Sequence, residues 1–173
     1  TMGDHCRDKD AVGSSMMIAE MAAWHSLGGR TLFDALQQLY EQYGHYREVT
    51  LNIRMEGLDG KQRMDALMRL LRQFPLRGIA GVPVTALRDY ESGIRTETEG
   101  GTAEPMELSG SDVLYHEMED GSSFIVRPSG TEPKVKVYIL TRGESAEEAD
   151  LHAERYRAAA AELGKLAEAA RTA

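Results

Sequence analysis

The apolar residues change period at Gly44, and that change limits what the chain can fold into. Before it they recur at helical spacing. Met17, Met21 and Trp24 form one stripe, with Met16, Ala19 and Ala23 beside them, and Leu32, Leu36, Leu39 and Tyr43 form a second. After it Val49, Leu51 and Ile53 alternate with Thr50, Asn52 and Arg54, the pattern of a half-buried strand. Residues 9–43 therefore predict two helices. Gly28-Gly29 stops the first. Thr31 caps the second, with Asp34 three residues on as in a capping box, and Gly44 suits its left-handed C-terminal position. Asp8 reads as the N-cap of the first helix. Two such helices have too little apolar surface for a core of their own and read as the end of a larger domain.

Residues 45–173 read as a separate domain. Met64, Leu67, Met68 and Leu71 mark a helix ended by Pro75, and 82–90 predicts a second strand. The Gly-, Thr- and Glu-rich stretch 91–110 reads as a mobile hairpin loop. Residues 113–118 and 123–127 predict strands joined by the Glu119-Asp120-Gly121 turn. Val135, Val137 and Ile139 alternate with Lys134, Lys136 and Tyr138. Ser145 caps a last helix, Glu148 completes its capping box, and Ala149, Ala153, Tyr156, Ala160 and Leu163 form its buried stripe. The order strand, helix, three or four strands, helix predicts an α+β fold: a two-layer antiparallel sheet with both helices on one face.

The net charge of -8 repels polyphosphate, which excludes nucleic acid as a partner. Any anion must be held by a local basic site against that field. The single cysteine, Cys6, allows no internal disulfide and fits a reducing cytoplasm. No apolar run approaches a membrane span, and residues 1–10 are too polar for a signal peptide. Thr1 ahead of Met2 reads as an artificial boundary more than a natural start.

The stretch Arg127-Pro128-Ser129-Gly130-Thr131-Glu132-Pro133-Lys134-Val135-Lys136 has the composition of a phosphate grip. Arg127 offers a planar fork for two phosphate oxygens. Ser129 and Thr131 offer hydroxyls, and Gly130 leaves room for backbone N–H groups to turn toward an anion. Pro128 and Pro133 stiffen both ends. Lys134 and Lys136 share one strand face and add charge. The same residues also compose an ordinary hairpin turn, and chemistry alone leaves both readings open.

The run RPSGTEPKVKVY resembles the phosphate loop of the fourth domain of the α-D-phosphohexomutase superfamily. The opening GDHCRDKDAV, the EMAA helix and TLFDALQQLYEQYGHY resemble the end of that family's third domain. The resemblance spans nearly the whole chain. The Arg-Pro start, the PKVKVY continuation and RDKDAV are most similar to the bacterial phosphoglucomutases. It implies that residues 1–44 end a third, α/β domain and that 45–173 form the phosphate-binding fourth domain, which is TATA-box-binding-protein-like. In the family a phosphoserine gives its phosphate to a hexose phosphate, the bisphosphorylated sugar turns over, and the enzyme takes back the other phosphate. By that resemblance Arg127, Ser129, Gly130 and Thr131 match the phosphate-gripping positions, Lys134 and Lys136 assist, and Lys9, with Arg7, contacts substrate. Mg²⁺ and glucose 1,6-bisphosphate are expected as cofactors of the full-length enzyme, none bound by this segment.

The family's serine motif, aspartate-rich metal loop and sugar-reading Glu-Ser motif are absent from this sequence. No catalytic residue and no metal site are therefore expected here, and the segment alone should be inactive. Its partners would be a phosphosugar and the missing N-terminal domains, in the cytoplasm. His5, Cys6 and Asp8 lack a partner at ligand spacing. Substrates such as mannose, glucosamine or pentose phosphates remain open, as does a free-standing phospholigand-binding module. The helix pair at 9–43 argues against such a module, which has no reason to keep it.

Overall fold

The structure, a computed structural model, describes residues 3, 4 and 8–169. It divides into two compact units, Thr1–Gly44 and His45–Ala173.

The first unit holds α1 (Ala11–Leu27) and α2 (Leu32–Tyr43). Thr31 and Asp34 form the reciprocal capping box over α2. At α1 the cap is Asp10, whose side chain accepts the Gly13 N–H at 2.9 Å. Asp8, expected to cap, lies outside the helix and pairs with Lys9 at 2.9 Å. The cap must directly precede the first helical residue, Ala11, so the nearer aspartate wins. Gly44 has φ 92° and ψ 167°. That is positive φ but outside the left-handed well, a conformation essentially confined to glycine. Neither helix has a buried residue, and Met16, Trp24, Leu27 and Phe33 are all exposed.

The second unit is built on β1 (His45–Arg54), α3 (Gly60–Gln73), β2 (Gly78–Ile79), β3 (Val82–Asp89), β4 (Ile94–Glu97), β5 (Ala103–Pro105), β6 (Leu114–Met118), β7 (Ser123–Pro128), β8 (Lys134–Gly143) and α4 (Ala146–Ala169). Among the described residues these strands form one eight-stranded sheet in the order β1-β8-β7-β6-β3-β4-β5, with β2 paired to β3, and every pairing is antiparallel. The two alternating runs meet at its edge: Val49, Leu51 and Ile53 stand opposite Ile139, Val137 and Val135. One face is covered by α3 and α4. Leu67, Met68 and Leu71 of α3 and Tyr156, Ala160 and Leu163 of α4 bury Phe124, Val126, Val135, Val137 and Ile139. This is the expected two-layer α+β arrangement. Among the described residues the other face carries no helix.

Two features differ from expectation. Residues 91–110, expected as a mobile hairpin loop, do form a hairpin, but as two strands, β4 and β5, that extend the sheet. The stretch is short of apolar residues because it is held by backbone pairing and by Arg95, which bridges Glu104 at 3.0 Å and Glu117 at 2.9 Å. At α4 the Ser145 hydroxyl accepts the Glu148 N–H as expected, but the Glu148 carboxylate reaches one residue further and accepts from the Glu144 N–H at 2.7 Å. Among the described residues no helix is long and apolar enough to cross a membrane.

Candidate functional site

The stretch singled out in the sequence joins β7 to β8. Arg127 stands opposite Lys136, and Pro128 opposite Val135. Because Val126, Val135 and Val137 point into the core, alternation turns Arg127, Lys134 and Lys136 to the helix-free face. The loop between the strands is tightly organised. The Ser129 N–H donates to the Lys134 carbonyl at 2.9 Å, and the Ser129 hydroxyl oxygen accepts the N–H groups of Thr131 and Glu132 at 3.5 and 3.3 Å. Its own O–H proton stays available to a ligand. From the other side the Met55 N–H donates to the Pro133 carbonyl at 2.8 Å, tying the loop to the end of β1. Gly60, the first residue of α3, lies so close that an added Cβ would sit 2.1 Å from the Met55 carbonyl oxygen and 3.0 Å from Pro133.

Charge on this face is divided. Under β3, β4 and β6 it is paired: Arg88 and Arg95 both hold Glu117, whose carboxyl is pushed below the usual range chiefly by the hydrogen bond from Arg95. Around the loop cations accumulate instead. Arg54 of β1 stands opposite Lys134, and Arg127 opposite Lys136. Like charges facing each other across a ladder destabilise a sheet. Lys134 is relieved by Glu132 at 2.9 Å, and that carboxyl is lowered by the hydrogen bond from Lys134, with help from Arg54 and Lys136. Arg127 makes no hydrogen bond or ion pair with any described residue.

A cavity of about 890 Å³ opens beside the loop. Arg127, Ser129 and Gly130 line one end, Tyr115, Ile125 and Tyr138 the sheet surface, and Ser109, Ser111 and Asp112 the far wall. Lys61 and Asp65 of α3 also line it. Of the residues picked from sequence, Arg127, Ser129 and Gly130 thus converge. Thr131, Lys134 and Lys136 are adjacent in the loop and strand but do not line the cavity. Lys9 belongs to the first unit, and Arg7 lies outside the described residues.

Residues 51–158 match the family described as phosphoglucomutase/phosphomannomutase, C-terminal domain. The chain belongs to this family. Within this C-terminal domain family the match contains the whole Arg127–Lys136 stretch and the cavity, whereas α1 and α2 fall outside it. The chain is 37% identical over 134 residues to the phosphoglucomutase of Staphylococcus aureus (strain bovine RF122 / ET3-1), covering 77% of this chain and 24% of that protein. It is 36% identical over 146 residues to the phosphoglucomutase of Staphylococcus haemolyticus, covering 84% and 26%. The chain thus spans about a quarter of the length of these relatives. Among solved structures it resembles pp63/parafusin from Paramecium, an exocytosis-sensitive phosphoprotein and phosphoglucomutase, in its open form. The TM-score is 0.52 at 16% identity, over 95% of this chain and 28% of that one. That likeness concerns the fold.

Sequence reasoning missed Arg54, Lys61 and the wall at 109–112. Arg54 was legible, since it continues the outward face Thr50, Asn52, Arg54. Lys61 and the wall come from segments distant in sequence, and only the packing of α3 and the hairpin brings them to the loop.

Proposed function

We propose that this chain is the C-terminal, phosphate-gripping part of a phosphoglucomutase that interconverts glucose 1-phosphate and glucose 6-phosphate. The observation that carries the reading is Arg127. Among the described residues it is an unpaired guanidinium lining a cavity, flanked by the Ser129 hydroxyl and by Gly130, in a chain of net charge -8. A bidentate guanidinium fork with adjacent hydroxyl and backbone donors fits a phosphate dianion. Lys134, Lys136 and Arg54 raise the local potential, and Thr131 adds a hydroxyl to the same loop.

In this reading the chain performs no bond-breaking. Its residues hold the phosphate that is not reacting, so that the other end of the sugar is presented to a phosphoserine elsewhere in the enzyme. Lys9 and Arg7 contact substrate from the end of a third domain formed by residues 1–44. The exposed apolar side chains of α1 and α2 support that assignment over a free-standing module, which would leave them in water. Among the described residues no group of three His, Cys, Asp or Glu side chains converges as a metal requires. By the family reading, Mg²⁺ belongs to the serine-bearing part of the full-length enzyme, with glucose 1,6-bisphosphate as activator and a cytoplasmic location.

The test is a phosphate titration followed by amide shifts in NMR. Shifts should centre on 127–131, with a dissociation constant of about 1 mM, near -4 kcal/mol, because one open wall grips the ligand alone. Arg127→Ala should abolish them, and Arg127→Lys should recover them in part. Parent-like binding by Arg127→Ala would sink the assignment.

A further inference from the structure

The two edges of the sheet are built differently. At one end β5 has three residues, the last being Pro105, which has no N–H to offer a further strand. At the other end β1 runs ten residues in unbroken register with β8, without a bulge, a proline or a lysine. Long regular edges are normally blunted or covered, because their outer N–H and C=O groups template another strand.

The ladder fixes which groups face outward. The Met55 N–H donates to the Pro133 carbonyl at 2.8 Å, in the register that pairs β1 with β8. Bonding to a given neighbour alternates along a strand, so the odd residues from Met55 back to Val49 bond β8. Glu48, Thr50, Asn52 and Arg54 turn their N–H and C=O groups to the free edge. Among the described residues those groups make no hydrogen bond there.

The side chains show the same open edge. Val135, Val137 and Ile139 of β8 are fully buried, yet their partners Ile53, Leu51 and Val49 are only partly buried. Their helix side is covered by α4, where a Cβ on Gly164 would lie 3.5 Å from Ile53 Cγ2. What stays open is the lateral side, where a further strand would lie.

The charges along β1 complement themselves. When a second β1 pairs antiparallel to the first, even residues must meet even residues, since these carry the free backbone groups. Centred on Leu51, the pairing sets Glu48 opposite Arg54 of the second copy and Thr50 opposite its Asn52, and the two-fold axis repeats both. On the helix side Leu51 meets Leu51, and Val49 meets Ile53. Glu48 is exposed and forms no ion pair among the described residues, while Arg54 stands beside the like charge of Lys134. Neighbouring registers lose the match. Centred on Thr50, Glu48 meets Asn52; centred on Asn52, Glu48 faces Glu56.

We propose that β1 is a homodimerisation strand. Two copies join edge to edge about a two-fold axis at Leu51 and form one continuous sheet, an isologous interface. Opposite charges across the new ladder select the register, and Glu48 of the second copy offsets the repulsion between Arg54 and Lys134. This surface is separate from the phosphate grip, and the inference stands without it.

The test is sedimentation equilibrium of the 173-residue chain. Its mass should approach twice 19.1 kDa, with a dissociation constant of about 10 µM. In hydrogen exchange the amides of 48, 50, 52 and 54 should be protected above that concentration and exchange freely on dilution. Thr50→Pro removes an outward N–H and no bond to β8, so it should fold as the parent does and sediment as a monomer. Glu48→Arg should raise the dissociation constant about tenfold or more, and adding Arg54→Glu should restore it. That swap involves exposed side chains only, so it decides the matter even if Thr50→Pro fails to fold. A parent that stays monomeric at about 1 mM overturns the proposal and leaves the edge to a strand from another protein. A dimer that survives in folded Thr50→Pro, or a swap that restores nothing, places the contact elsewhere and overturns it as well.

Discussion

Arg127 of β7 and Lys136 of β8 are register partners, two cations side by side on the sheet face that carries no helix. A sheet gains nothing from that pairing, so its removal separates stability from binding. Lys136→Thr should leave the fold as stable as the parent or raise its stability by up to about 0.5 kcal/mol. It should weaken phosphate binding and flatten the salt dependence of that binding. Urea midpoints and phosphate titrations at two ionic strengths check both halves. A clear loss of stability would mean that Lys136 has a structural partner.

Gly130 offers a second separation. Its φ is not in the left-handed region, and an added Cβ would meet nothing within 4 Å. The fold therefore has no need of glycine there, while a ligand approaching the backbone does. Gly130→Ala should change stability by less than about 0.5 kcal/mol. It should weaken phosphate binding about tenfold, or 1.4 kcal/mol.

Gly60 is the opposite case. A Cβ placed 2.1 Å from the Met55 carbonyl oxygen and 3.0 Å from Pro133 cannot be accommodated without moving α3 or the loop. Gly60→Ala should cost about 2 kcal/mol or more and shift the amide resonances of 128–134. A parent-like urea midpoint would show that α3 can slide away freely.

His116 should make stability pH-dependent above the carboxylate range. Its Nδ1–H donates to the Phe124 carbonyl at 3.0 Å, leaving Nε2 buried with no partner among the described residues. Burial depresses its pKa from the ordinary 6.5, the hydrogen bond to Phe124 opposing only in part. The unfolded chain then takes up the proton before the folded one does, so stability rises with pH across that window. The contribution is complete above about 6.5 and is lost as pH falls from there through the lower folded value. Glu117 and Glu132 act later, below about 4.5. Urea midpoints from pH 8 to pH 5 should fall in the parent and fall less in His116→Gln.

The isolated chain should show no mutase activity in a coupled assay with glucose 1-phosphate, Mg²⁺ and glucose 1,6-bisphosphate. It presents a grip, and gripping alone does not transfer a phosphoryl group. Turnover in clean protein would contradict the division of labour proposed above.

The sequence by itself determined the parts of this protein that depend on local periodicity and local chemistry. Alternation at 49–53 and 135–139 specifies strands because successive side chains must face opposite ways, and the two runs prove to be partners. Thr31 and Asp34 specify a cap because both hydrogen bonds close within four residues. Arg127, Ser129 and Gly130 fall within four positions of one another, so their convergence needs only a turn. Tertiary structure alone decided the rest. The β4–β5 hairpin is held by cross-strand backbone bonds and by Arg95 reaching Glu117, 22 positions away, and neither leaves an apolar period to read. The wall at 109–112 faces the loop because Arg72 of α3 grips Asp112, 40 positions on, a pairing no spacing rule encodes. Ion pairs and hydrogen bonds depend on distance in space rather than along the chain, so the grip was legible in the sequence and the cavity beside it was not.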